Sequence, residues 1–107
     1  MRFEIVLAPQ AIDGLKALRA DFRSGVKDAI ELYLRQEPTK LSRSRIKRLR
    51  GLDRPQYRHR VDEVRVFYDV NEATVEVLAI IGKEQAEAWL AEEGVPTPPG
   101  GSGEDEG

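Results

Sequence analysis

Apolar and polar positions change period several times along the chain. "RFEIVLA" alternates with period two, which predicts a first strand over about Arg2 to Leu7 with Phe3, Ile5 and Leu7 on one face. Pro9 suits the first turn of a helix, where its missing N–H costs nothing. Ile12, Leu15, Leu18 and Phe22 follow at helical spacing. A second helix is predicted over "SGVKDAIELYLRQEP", with Val26, Ala29, Ile30, Tyr33 and Leu34 on one stripe. Gly25 falls near its start, and Pro38 stops it by disfavouring helix at the preceding residue.

"TKLSRSRIKRLRGLDRP" reads as a basic connector anchored only by Leu41, Ile46, Leu49 and Leu52, with Gly51 and Pro55 as punctuation. Three strand-like runs come next: "QYRHRV", "VRVFYDV" and "TVEVLAII". The short links at Asp62–Glu63 and Asn71–Glu72 predict hairpins, hence an antiparallel meander. Val75, Val77, Ala79 and Ile81 alternate with Thr74, Glu76, Leu78 and Ile80. That second set is only half polar, so the last strand is expected to be central. A final helix is predicted from Lys83 to Glu93, packing through Ala86, Trp89 and Leu90, with Gly94 as its cap. The order is β-α-α-β-β-β-α, an α+β domain over residues 1–93. Residues 94–107, rich in Pro, Gly and acids, read as a tail.

Length and composition bound the rest. A chain of 107 residues fits one domain. It has no cysteine and a single histidine, so disulfides and thiol chemistry are excluded and no metal site is expected. "MRFEIVLAPQ" carries no long apolar segment, so the expectation is a cytoplasmic protein without a membrane span. No cofactor is expected.

Charge changes the picture more. Residues 40–65 carry ten Lys/Arg against three acids, a local balance of +7. The whole chain has a formal charge of −2, so the remainder carries −9. Such segregation creates its own field and suits a polyanion.

Within this segment Arg58 and Arg60 are two apart on a strand and share a face, with Tyr57, His59 and Val61 turned the other way. Arg65, beyond the hairpin turn, can lie across from either. Two readings stay open. The arginines pair with Asp62, Glu63, Asp69 or Glu76, or they face a phosphate, which guanidinium matches bidentately. Lys47, Arg48 and Arg50 in the connector are candidate contacts to a nucleic-acid backbone.

The element order, "LRG" before a strand, "YRHRV", "VRVFYDV" and the terminal "IIGK" helix segment resemble the RelE/ParE superfamily of toxins from bacterial type II toxin–antitoxin systems. The resemblance covers about Arg2 to Leu90 and lies in the combined spacing, not in any single motif. It implies two different activities. RelE-like members are mRNA interferases, cleaving mRNA typically within the ribosome by attack of a ribose 2′-OH on the adjacent phosphate. ParE-like members poison DNA gyrase. Both are restrained by an antitoxin protein.

In the RelE-like case the resemblance assigns Arg58, Arg60 and Arg65 to catalysis, while Lys47, Arg48, Arg50 and Lys83 are the candidate RNA contacts. The last helix departs from the pattern. The arginine expected after "GK" is Glu84, and the expected aromatic falls on Trp89 or Leu90, neither with a phenolic proton. Catalysis thus lacks an evident acid–base pair. His59 and Lys83 are the available substitutes, and strand alternation turns His59 toward the core. A gyrase-binding ParE-like protein, and a weakened RelE-like binding protein, are the alternatives.

Overall fold

The structure, a computed structural model, describes residues 2–98. Strand β1 (Glu4–Leu7) leads through Ala8 into helix α1 (Pro9–Ala17), with Pro9 in its first turn. Helix α2 (Ala20–Ala29) continues into one π-helical turn at Ile30–Leu34. Strands β2 (Ile46–Arg48), β3 (Leu52–Arg54), β4 (Tyr57–Val61), β5 (Val64–Asn71) and β6 (Thr74–Gly82) follow. Helix α3 (Lys83–Glu93) and a two-residue strand β7 (Val95–Pro96) complete the order.

The main sheet runs β1-β6-β5-β4-β2. Strands β4, β5 and β6 form the expected antiparallel meander, and β1 adds parallel to β6. Both hairpin links carry a residue in the left-handed region, Asp62 at φ 52° and Glu72 at φ 57°, as tight turns between twisted strands require. Strand β6 is central, flanked by β1 and β5.

The connector is more structured than its composition suggested. Its middle forms β2, the edge strand beside β4, and its end forms β3, which pairs with β7 in a separate two-stranded sheet. Ile46 is buried as an anchor, but Leu41 is 55% exposed and anchors nothing. The expected boundary after residue 93 falls between α3 and β7. Residues 99–107, most of the expected tail, lie outside the described residues.

The helical segments divide differently from the periodicity. Helix α1 ends at Ala17, and Leu18 is extended at ψ 152°. The Arg23 guanidinium folds back and donates to the carbonyls of Leu15, Lys16 and Leu18, satisfying acceptors that the helix end leaves open. Phe22 therefore belongs to α2, and Gly25 lies inside that helix instead of near its start. Ile12 is 38% exposed; Ala11 and Leu15 are the buried positions of α1.

Gly14 explains how closely α1 lies on the sheet. A Cβ at this position would meet the backbone carbonyl oxygen of Ile80 on β6. Gly14→Ala gains about 1 kcal/mol of helix propensity. It also forces backbone away from backbone, an overpacking cost of up to about 3 kcal/mol. We expect a net loss of about 2 kcal/mol, read as a lower urea midpoint with unchanged slope.

One irregularity sets which residues face which way. Phe67 pairs with Ala79, but Tyr68 pairs with Val77, so Leu78 is an extra residue on β6. This bulge reverses the alternation. Val75, Val77 and Ile80 join the core under the helices, with Val64, Val66 and Tyr68. Ala79 and Ile81 turn to the opposite face, so the single stripe from Val75 to Ile81 does not form. Tyr68 is fixed by donating its hydroxyl to the Pro38 carbonyl at 2.6 Å.

Candidate functional site

Strands β4 and β5 place the arginines. Arg60 stands directly opposite Arg65, and Arg58 opposite Phe67, while His59 opposite Val66 looks into the core. The three guanidinium-bearing residues thus share the sheet face away from α1 and α2. Helix α3 covers part of that face through Trp89, whose ring stacks on Phe67 at 5.0 Å. The aromatic residue of the last helix is therefore occupied in packing.

None of Arg58, Arg60 and Arg65 forms an ion pair among the described residues. Three of the four acids that might have neutralised them, all but Asp62, are engaged elsewhere. Lys83 holds Glu63 at 2.9 Å, and Arg54 lies 3.6 Å from Asp69 and 3.5 Å from Glu76. Arg65 instead donates to the backbone carbonyls of Asp62 at 2.9 Å and Val64 at 3.1 Å, which orients the side chain without cancelling its charge. Arg58 is half-buried and reaches only the Ser44 carbonyl, at 3.4 Å. Its Nε is buried without a partner. Burial, then the positive charges of Arg65 and Arg60, lowers the Arg58 pKa from its usual value. A guanidinium still keeps its proton at neutral pH, so the cost is borne as repulsion and desolvation.

The basic connector does not make one patch. Lys47 is paired in register with Arg58 and extends the arginine face across the exposed edge strand. Arg48 pairs with Tyr57 and lies on the other face, its guanidinium 5.4 Å above the Tyr57 ring and bonded to the Leu49 and Gln56 carbonyls. Arg50 sits exposed in the turn beside Gly51. Lys83 opens α3 and meets the β4–β5 hairpin through Glu63.

His59 is 1% exposed and packs edge-on against Tyr33, ring centroids 5.6 Å apart. Burial pushes its pKa down to about 4; the nearby Arg45 carbonyl opposes this only in part and completes no hydrogen bond. It is a neutral core residue at physiological pH, away from the arginine face.

A cleft of about 390 Å³ opens beside Arg60, lined also by Ser44, Arg45, Asp62 and Glu63. Sequence reasoning treated Asp62 and Glu63 as turn residues and missed this cleft. The available signal was the pair of acids, Asp62 and Glu63, set between Arg60 and Arg65 in the sequence. No helix among the described residues is long and apolar enough to cross a membrane, and no cluster of potential metal ligands occurs among them.

A five-stranded mixed sheet under two helices, with a third helix on its cationic face, has the RelE-like fold of toxins from toxin–antitoxin systems. No protein-family model matches the chain, and no curated protein sequence matches it. Solved structures do. The RelB–RelE antitoxin–toxin complex from Methanococcus jannaschii matches with a TM-score of 0.62 and 22% identity, covering 78% of this chain and 96% of that one. The toxin–antitoxin complex RelBE2 from Mycobacterium tuberculosis matches with a TM-score of 0.61 and 19% identity, over 77% and 99%. A mutant of E. coli toxin RelE in the free state matches with a TM-score of 0.52 and 20% identity, over 86% and 94%. At these identities the likeness establishes the fold.

Proposed function

We propose that this protein is a RelE-type toxin that cleaves mRNA at the ribosome by attack of a ribose 2′-OH on the adjacent phosphate. The observation that carries the reading is the arginine face: three guanidiniums from Arg58, Arg60 and Arg65, with Lys47 beside them and none of the three in an ion pair among the described residues. Negative charge grows on the phosphoryl oxygens as the 2′-oxygen adds. Cations already fixed in place stabilise that charge without reorganising. Arg65 is fixed by two backbone carbonyls, and Arg58 carries its charge without an ion-pair partner among the described residues. Lys47, Arg50 and Lys83 supply sequence-independent contacts to the RNA backbone, while Arg48 faces the far side and serves a different stretch of a large RNA.

The same cationic face suits an inhibitor. Two of the structures of like fold are toxin–antitoxin complexes, and we assign this chain a cognate antitoxin with acidic side chains near Arg58, Arg60 or Arg65. The cytoplasm, where mRNA and ribosomes are, is the compartment this reading requires.

A second reading is favoured by one observation. Glu84, exposed at the start of α3, stands where the resemblance expects an arginine, and α3 has no tyrosine. A ParE-like gyrase inhibitor needs neither. Purified protein added to translating ribosomes separates the two. Discrete breaks in the mRNA, with 2′,3′-cyclic phosphate ends, are expected. Intact mRNA together with trapped gyrase–DNA breaks establishes the gyrase reading instead.

A further inference from the structure

Resting on the RNA-cleavage reading, we infer that Glu63 is the proton acceptor for the attacking 2′-hydroxyl and that Lys83 is its positioning residue. The arginine face supplies charge but no base, because guanidinium does not release its proton at neutral pH. His59 is sealed in the core. The carboxylates lining the cleft beside Arg60 are Asp62 and Glu63.

These two are not equivalent. Asp62 occupies the left-handed turn position and contributes its backbone carbonyl to Arg65. Glu63 is exposed in the turn just before β5 and lines the cleft together with Arg60. Its Oε1 is held 2.9 Å from Lys83 Nζ, and its backbone carbonyl accepts the Lys83 N–H at 2.8 Å. The hairpin and the start of α3 are thus tied at both backbone and side chain. A carboxylate has about four lone-pair positions, so one contact with Lys83 leaves room for a hydroxyl.

The charged groups facing Glu63 are Lys83 from α3, Arg65 on β5, Arg60 on β4, Asp62 in the turn and Arg45 across the cleft. The Lys83 contact first, then the more distant Arg65 and Arg60, hold its carboxyl below the usual range. It is ionised throughout the neutral range. Its basicity is modest, but every molecule carries it in the accepting form.

The step balances. The 2′-OH proton passes to the Glu63 carboxylate as the 2′-oxygen bonds to phosphorus. The bond from phosphorus to the 5′-oxygen breaks, and that oxygen leaves with the electron pair and takes a proton from solvent water. Glu63 then returns its proton to solvent. The products are a 2′,3′-cyclic phosphate and a 5′-hydroxyl.

The test is single-turnover cleavage of ribosome-bound mRNA by wild type, Glu63→Gln, Asp62→Asn and Arg65→Ala, with RNA binding measured in parallel. Glu63→Gln is expected to cleave about 10²–10⁴-fold more slowly, while binding RNA at least as tightly because a negative charge has left the site. Asp62→Asn should stay within a few fold of wild type. Lys83→Met should slow cleavage, and Lys83→Arg, which preserves the contact to Glu63, should recover most of it. Glu63→Gln cleaving at the wild-type rate while Arg65→Ala is inactive overturns the assignment of Glu63 and leaves the cleavage reading standing. Equal losses in Asp62→Asn and Glu63→Gln overturn it too, since that result reports hairpin charge and not a base. Wild type that cleaves no RNA removes the reading on which the inference rests.

Discussion

Arg65→Ala is expected to slow RNA cleavage by about 10²–10³-fold, the loss of roughly 2.7–4 kcal/mol of transition-state stabilisation that follows removal of one preorganised donor. Arg65 is the arginine best held in place, with Nη1 shared between the Asp62 and Val64 carbonyls. The protein has therefore already met the cost of ordering this side chain before RNA arrives. Stability should change little, by about 0.5 kcal/mol or less. Arg65 makes no ion pair among the described residues, and its removal relieves repulsion with Arg60, its partner across the strands. Arg65→Lys keeps the charge and loses the planar fork, so it should fall between wild type and alanine. Single-turnover kinetics at saturating ribosomes, with thermal melts on the same preparations, check both halves. A folded Arg65→Ala protein that cleaves at the wild-type rate would take the arginine face out of the mechanism.

His59→Leu is expected to leave cleavage per folded molecule unchanged and to make stability much less sensitive to acid. The folded-state pKa of about 4 lies below the usual histidine value of about 6.5 because burial penalises the charged ring. Below pH 6.5 the unfolded chain takes up a proton that the folded chain refuses. Stability from this group is intact above about pH 6.5 and is lost as the pH falls toward 4. The loss is about 1.4 kcal/mol per unit, reaching roughly 3 kcal/mol in all. Leucine carries no such linkage. It also removes two ring nitrogens that lie buried without a hydrogen-bond partner, so the variant should be at least as stable as wild type at pH 7. Urea titrations of both proteins at pH 7, 6, 5 and 4.5 give the difference directly. Parallel slopes would mean that His59 is accessible to protons in the folded state. A cleavage rate that rises through pH 6.5 in wild type and is flat in His59→Leu would return the histidine to the site.

Much of this protein was legible in the sequence because the information is local. Alternation from Tyr57 to Val61 and the two-residue links at Asp62 and Glu72 were enough to order the meander. They also turned His59 inward and Arg58 and Arg60 outward, as observed. The span of α3 was likewise readable, with Gly94 closing the expected run from Lys83 to Glu93. Tertiary contacts decided the rest. Helix α1 stops at Ala17 although Leu18 and Phe22 continue the apolar spacing, because Arg23, from the next helix, takes the free carbonyls. Gly14 looks like a weak helix residue until the Ile80 carbonyl is seen against it. The bulge at Leu78 moves Ala79 and Ile81 to the other face, and no pattern in β6 announces it. Lys47 and Arg48 are neighbours in the chain, yet pairing of β2 with β4 sends them to opposite sides of the sheet. The engagement of Glu63 by Lys83, and of Asp69 and Glu76 by Arg54, spans residues far apart in sequence. Arg58, Arg60 and Arg65 are left without ion pairs among the described residues. Strand and helix periods are properties of neighbouring residues; which charges remain unpaired depends on distances that exist only after the chain has folded.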